Sequence, residues 1–255
     1  MKTTRFIIGL LLLLFCATAC REQSPRIIID GKCIPIKAFE SSGTSNATYN
    51  IIRHASEVID SIKAPVIGYA NSRLTAYRPE SPLMNFAADA LRSTAQRYSS
   101  RKIDIAISNK GGLRNDIAEG NITVGDIYSV FPFDNTVALL TLDGEQLLRL
   151  FEEIAAGGGE PISGARIVIA PTEESYNVVS ATVGGRSIEA QKSYCIATSD
   201  YLSQGNDGLT TLGKAKERIM LPVTIRDLMI EYITELHKQG KVLSAKEDDR
   251  IVIKE

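Results

Sequence analysis

Ser108-Asn109-Lys110-Gly111-Gly112-Leu113-Arg114-Asn115 follows the β-prone run Ile103 to Ile107. A strand that empties into a loop of this composition is where mixed folds usually meet their ligands. Two adjacent glycines let backbone approach a bound group closely. Arg114 supplies a planar cationic fork suited to carboxylate or phosphate oxygens, and Asn109 offers both a donor and an acceptor. Taken alone, the segment is equally a tight turn carrying a solvated arginine.

Two further polar segments occupy comparable places. Arg78-Pro79-Glu80-Ser81-Pro82-Leu83-Met84-Asn85-Phe86 opens a predicted helix, with Pro82 in the first turn, where its missing N–H costs nothing. Thr198 to Gly208 follows the predicted strand Tyr194 to Ala197; its Asp207-Gly208 turn either aims a carboxylate at hydroxyls or is an ordinary turn. Between them lies Phe131-Pro132-Phe133-Asp134-Asn135. One of these phenylalanines must face the core, whereas Phe133, next to Pro132 and just before a strand, is placed to offer a ring face to a planar base.

Working outward, apolar spacing predicts helices over Thr48 to Lys63, from Ser81-Pro82 through Leu91, around Leu147 to Ile154, and from Thr224 to Gly240. In the first, Ile51, Ile52, Ala55, Ile59 and Ile62 make one apolar stripe, and His54 lies off it in solvent. Thr224 and Asp227 make a T-x-x-D cap for the last. Strands are expected at Val137 to Leu142, Arg166 to Ala170, Val178 to Val183, Tyr194 to Ala197 and Ile251 to Ile253, with a hairpin at Ile27 to Ile29 and Cys33 to Ile36 around Asp30-Gly31. No repeat or long linker divides this pattern, which reads as an α+β protein with a single compact domain.

Composition agrees. The 255 residues are 44% hydrophobic and 23% charged, ordinary globular usage, with a formal net charge of −1. There is no basic excess to bind a nucleic-acid backbone, so no nucleic-acid partner is expected. Only two histidines occur, His54 and His237, too few for a His-rich metal centre. No G-x-S-x-G elbow, Walker A loop or C-x-x-C pair is present.

The first residues have export-signal anatomy: Lys2 and Arg5, an apolar run from Phe6 to Phe15, then Ala17-Thr18-Ala19 before Cys20. Residues 1–19 are read as a signal peptide. Cleavage before Cys20 would expose that cysteine for lipidation, giving a bacterial lipoprotein of the cell envelope anchored to the membrane; plain cleavage at the A-x-A site is the alternative. Residues 20–46 are then a tether with the hairpin, and 47–255 the folded domain. Removing 1–19 leaves 27 basic residues (29 less Lys2 and Arg5) against 30 acidic. Of the cysteines Cys16, Cys20, Cys33 and Cys195, the last two either pair or remain thiols.

Taken together, these segments resemble the C-terminal, substrate-binding domain of the 5′-nucleotidase and UDP-sugar hydrolase family. Its members show an Asn-Gly-Gly-Gly-x-Arg loop, a Pro-Phe-x-Asn segment, and an aromatic followed six residues later by the Asp of a Gly-Gly-Asp-Gly turn. The counterparts here are Asn109 to Arg114, Pro132 to Asn135 and Tyr201 to Asp207, in the same order. Thr123 to Tyr128 resembles the stretch before the family's Pro-Phe, and Glu80 to Asp89 its Glu-x-x-x-x-Asn helix opening. Lys110 and Asn206 each replace a glycine, and Tyr201 stands where Phe is usual.

The resemblance implies a layered α/β/β/α arrangement and a nucleoside or nucleotide ligand. Its base would stack between Phe133 and Tyr201, with Asp207 on ribose hydroxyls and Asn109, Gly112 and Arg114 holding the base edge or phosphate side. Arg78 lies near the place of a further phosphate-binding arginine, though out of register. The resemblance also implies that hydrolysis needs a metallophosphatase domain with two divalent metals, whose His-bearing signatures (Asp-x-His, Gly-Asn-His-Glu, Gly-His-x-His) do not occur here. The expectation is therefore the recognition half of a split 5′-nucleotidase, with no catalytic or metal residue or cofactor of its own and both metals on a partner metallophosphatase. A free-standing nucleoside-binding envelope protein is the alternative.

Overall fold

The computed structural model describes residues 47–254. The signal, Cys20, the tether and the hairpin expected at 27–36 lie outside the described residues, as does Cys33.

Helix α1 spans Ala47–Lys63, strand β1 Val66–Ala70, helix α2 Pro82–Ala95 and strand β2 Ile105–Ile107. Strand β3 (Gly120–Thr123) runs into helix α3 (Val124–Val130), and β4 (Thr136–Asp143) into α4 (Gly144–Ala156). Strands β5 (Ile162–Ser163), β6 (Ala165–Pro171), β7 (Tyr176–Val183), β8 (Arg186–Ser187) and β9 (Ser193–Ser199) follow. The short helix α5 (Asp200–Ser203), strand β10 (Glu217–Thr224), helix α6 (Ile225–Lys238) and strand β11 (Ile251–Ile253) complete the order. The expected helices and strands of this region are all present. Strands β1, β3, β5, β8 and β10 and helices α3 and α5 were not anticipated: all but β10 are short, and β10 carries Glu217, Arg218 and Pro222 among its apolar residues.

A five-stranded sheet in the order β10-β4-β9-β2-β5 organises the domain. Its central strands are apolar on both faces, and successive side chains alternate between two cores. Val137 and Leu139 of β4, Ala106 of β2 and Ala197 of β9 face one cluster with Leu83, Phe86, Ala87 and Leu91 of α2 and Leu228, Met229 and Ile233 of α6. Leu140 and Leu142 of β4, Ile105 and Ile107 of β2 and Ile196 of β9 face the other. There they meet Leu147, Leu150, Phe151 and Ile154 of α4, and Ile167, Ile169 and Ile251 of a four-stranded sheet ordered β11-β6-β7-β8. Helices and sheets are thus layered in one mixed α+β domain, with α4 sharing its apolar face with both sheets.

Helix starts obey local chemistry. Ser81 caps α2, accepting from the Met84 amide, with Pro82 at the first position. Thr123 and Asp143 cap α3 and α4 through reciprocal boxes with Asp126 and Gln146. At α6 only half of the expected cap forms: Thr224 accepts from the Asp227 amide.

The helix-opening motif serves architecture. Glu80, 6% exposed, accepts from the Asp248 and Arg250 amides, each at 2.7 Å, and from Asn85 Nδ2 at 2.6 Å. It thereby ties the C-terminal segment to the start of α2, while Asp89 on the same helix pairs with Arg250 at 2.6 Å.

The α1 stripe does not face a core: Ile51, Ile52, Ile59 and Ile62 are all exposed, at 47% to 69%. Periodicity reports that one face is apolar, not that anything covers it. His54 is exposed, as expected.

Candidate nucleotide-binding site

Strand β2 delivers Ser108 and Asn109, both buried, and the chain then makes a single 3₁₀ turn over Lys110–Gly112. The Gly112 amide donates to Asn109 O at 3.0 Å, and the Leu113 amide to Lys110 O at 3.1 Å. A β-carbon on Gly112 would lie 2.7 Å from Asn109 Oδ1, so glycine lets the asparagine side chain fold across the turn. Leu113 is buried at 8% exposure and the Arg114 amide donates to Val130 O at 3.0 Å, which anchors the far end of the loop. The Arg114 side chain is left exposed, its guanidinium carbon 5.9 Å from the Phe133 ring centroid.

The two phenylalanines separate as chain direction demands. Phe131 ends α3 and enters the core at 6% exposure, whereas Phe133 is 48% exposed. Arg226, at the start of α6 and 7% exposed, staples this segment: it donates to Phe131 O at 3.3 Å, forms an ion pair with Asp134, and lies 4.1 Å from the Tyr128 ring centroid. No sequence signal singled out Arg226, because its partners lie more than 90 residues earlier.

The third segment leaves β9 through Ser199, which caps α5 by accepting from the Leu202 amide at 3.0 Å. Leu202 is fully buried, which turns Tyr201 outward at 40% exposure. Tyr201 Oη donates to Asp207 Oδ1 at 2.8 Å, and Asn109 Nδ2 to Asp207 Oδ2 at 2.5 Å. The acidic partner, then partial burial, holds the Tyr201 phenol above its ordinary pKa. Asn206, which replaces a glycine of the motif, uses its side chain to bind Tyr201 O at 2.7 Å.

These segments converge on one pocket of about 350 Å³. Asn109, Gly112, Arg114, Phe133, Tyr201 and Asp207 all line it, with Gly111 and Asn135. Arg78, the seventh expected residue, is not in the lining. Its Nε donates to Gly159 O at 2.7 Å and its guanidinium forms an ion pair with Glu160.

Glu160 was not singled out in the sequence. It is 5% exposed and its other oxygen accepts from the Lys110 amide at 2.5 Å, so it joins Arg78 to the first residue of the Gly-Gly turn. Burial raises its carboxyl pKa; the Lys110 amide and Arg78 oppose that shift and the nearby Asp207 adds to it. Gly159 makes this approach possible: at φ 107°, a β-carbon there would lie 2.4 Å from Pro79 O.

A family model described as the 5′-nucleotidase C-terminal domain matches residues 58–214. The chain belongs to the 5′-nucleotidase C-terminal domain family. It is 27% identical over 210 residues to the trifunctional nucleotide phosphoesterase of Bacillus subtilis, covering 76% of this chain and 14% of that protein. It is 30% identical over 130 residues to the NAD 5′-nucleotidase of Haemophilus influenzae, covering 45% of this chain and 22% of the relative. Among solved structures, the 5′-nucleotidase precursor of Thermus thermophilus superposes with a TM-score of 0.70 at 26% identity, covering 81% of this chain and 42% of that one. The chain therefore spans less than half of each of these relatives.

As a 5′-nucleotidase C-terminal domain, the protein gathers residues from its Asn109–Arg114, Phe133–Asn135 and Tyr201–Asp207 segments around one pocket. Among the described residues no group of three or more His, Cys, Asp or Glu side chains is placed to hold a metal ion.

Proposed function

We propose that this chain supplies nucleotide recognition to a 5′-nucleotidase whose hydrolytic chemistry lies on a separately encoded dimetal phosphatase subunit. The observation that supports the recognition role is the convergence of Phe133, Tyr201, Arg114, Asn109 and Asp207 on one pocket. Two half-exposed aromatic rings suit a planar base, an exposed guanidinium suits an anion, and a carboxylate suits sugar hydroxyls. A volume of about 350 Å³ accommodates a nucleoside-sized ligand.

In this scheme Phe133 and Tyr201 hold the base, Asp207 accepts from the sugar, and Asn109 and Arg114 fix the base edge or phosphate side. The partner's two divalent metals supply water activation and phosphate clamping when bound. The exposed isoleucines of α1 offer apolar area to that partner. The leader-like residues 1–19 and Cys20 support export and lipid anchoring at the cell envelope.

The test is calorimetric titration of the pure chain with AMP, adenosine and UDP-glucose, beside a phosphate-release assay with added divalent metal. Binding without release is expected. Efficient release by the pure chain would overturn the split arrangement, and binding of none of the three would overturn nucleotide recognition.

A further inference from the structure

Asp207 is held by protein donors on both of its carboxylate oxygens. Tyr201 Oη donates to Oδ1 at 2.8 Å and Asn109 Nδ2 to Oδ2 at 2.5 Å. The loop between Tyr201 and Asp207 fixes this arrangement by its own bonds. Asn206 Nδ2 donates back to Tyr201 O at 2.7 Å, and the Gly205 amide to Leu202 O at 2.9 Å. Asp207 itself has φ 55°, a left-handed conformation that aspartate tolerates better than most residues, and Gly208 follows at φ 79°. The ring of Tyr201 and the carboxylate of Asp207 therefore form one hydrogen-bonded wall of the pocket.

An ionised carboxylate offers about four lone-pair sites, two on each oxygen. A cis-diol engages such a group best by donating one hydroxyl to each oxygen. Asn109 is a fixed feature of the turn, so Oδ2 is always shared. Oδ1 is shared only because residue 201 is a tyrosine; a phenylalanine would present the same ring and leave Oδ1 without a protein donor. The raised phenol pKa keeps Tyr201 a donor throughout the neutral range. A sugar hydroxyl reaching Oδ1 must share that oxygen with the phenol or displace it, and the advantage of having the second hydroxyl shrinks accordingly.

We infer that the Tyr201 hydroxyl is a specificity-determining group, which occupies Asp207 Oδ1 and so relaxes the pocket's preference for ribose over deoxyribose ligands. The inference rests on the assignment of this pocket to nucleosides and nucleotides. It deepens that assignment by naming the substrate class: both ribo- and deoxyribonucleosides and their phosphates.

The experiment compares the chain with its Tyr201→Phe variant, titrating each with adenosine and with 2′-deoxyadenosine. The readout is the ratio of the two dissociation constants within each protein, so any change in stacking common to both ligands cancels. The parent chain is expected to bind the two ligands within about threefold of each other. Tyr201→Phe should widen the preference for adenosine by a further three- to tenfold or more, a gain that disappears when Asp207→Asn is added. An unchanged or narrowed ratio in Tyr201→Phe overturns the inference while leaving nucleoside binding intact. So does a widened ratio that survives Asp207→Asn. Failure of the folded parent chain to bind either nucleoside overturns the pocket assignment itself.

Discussion

The carboxylate of Glu160 accepts the backbone N–H of Lys110 at 2.5 Å across 50 residues of sequence, from a position only 5% exposed. Its other oxygen pairs with Arg78. A single buried acid thus sets where the Gly-Gly turn begins and where the Arg78 side chain rests. Glu160→Ala removes the acceptor of a buried amide and the partner of a half-exposed arginine. The expected loss is about 1–3 kcal/mol of stability, together with weaker nucleotide binding. Glu160→Gln keeps an oxygen acceptor for Lys110 and should restore most of the binding. Denaturant melts and calorimetry on both variants check this; wild-type binding by Glu160→Ala would show that the loop stands without the carboxylate.

Gly112→Ala separates site from scaffold. The new β-carbon would lie 2.7 Å from Asn109 Oδ1, a side-chain atom, so the asparagine must move and its bond to Asp207 breaks. Affinity for AMP should fall more than about tenfold, with the melting temperature nearly unchanged.

Phe133→Ala should behave similarly for a different reason. The ring is 48% exposed, so its removal should change stability by only about 0.5 kcal/mol. If it stacks on the base, it carries about 1–3 kcal/mol of binding. Calorimetry with adenosine, which has no phosphate, isolates that contribution from Arg114.

Stability should also fall on acidification through Asp143. Its carboxylate is held below the ordinary value of 3.8 by Lys216, at 2.8 Å, and by the Gln146 amide. With the folded pKa lowered, its contribution is present above the unfolded pKa and is lost as pH falls through the folded one. Asp143→Asn keeps a capping oxygen but does not titrate there, so its melting temperature should decline less steeply below about pH 3.8. Equal slopes for the two proteins would rule this contribution out.

The exposed stripe of α1 makes a fourth kind of test. Ile52→Lys combined with Ile59→Lys should leave the melt of the pure chain within about 0.5 kcal/mol of wild type, since neither side chain has a buried environment to lose. A large destabilisation would mean that the stripe is covered in solution.

Much of the fold was legible because it is local. The apolar runs of β4 and β9, the Ser81-Pro82 start of α2 and the spacing of α4 and α6 each announce themselves within a dozen residues. The site was legible because its three segments keep their internal spacings in sequence. What escaped were groups whose partners are remote: Glu160, bound to Lys110 and Arg78, and Arg226, bound to the Phe131–Asp134 segment. Arg78 lies outside the pocket lining for the same reason. Its type suggested an anion, but a buried acid 82 residues away engages it first.

Sequence alone determined that strands and helices alternate around an apolar core, and that aromatic, cationic and carboxylate groups recur in glycine-bearing loops. Backbone preferences and hydrophobic period act over a few residues, so they need no fold to be read. Only the tertiary structure decided that four of those groups, Phe133, Tyr201, Arg114 and Asp207, share one pocket, that both oxygens of Asp207 are occupied, and that the isoleucines of α1 remain in solvent. Burial and hydrogen-bond partnership depend on which distant segments meet, and that is settled by packing across the sheet.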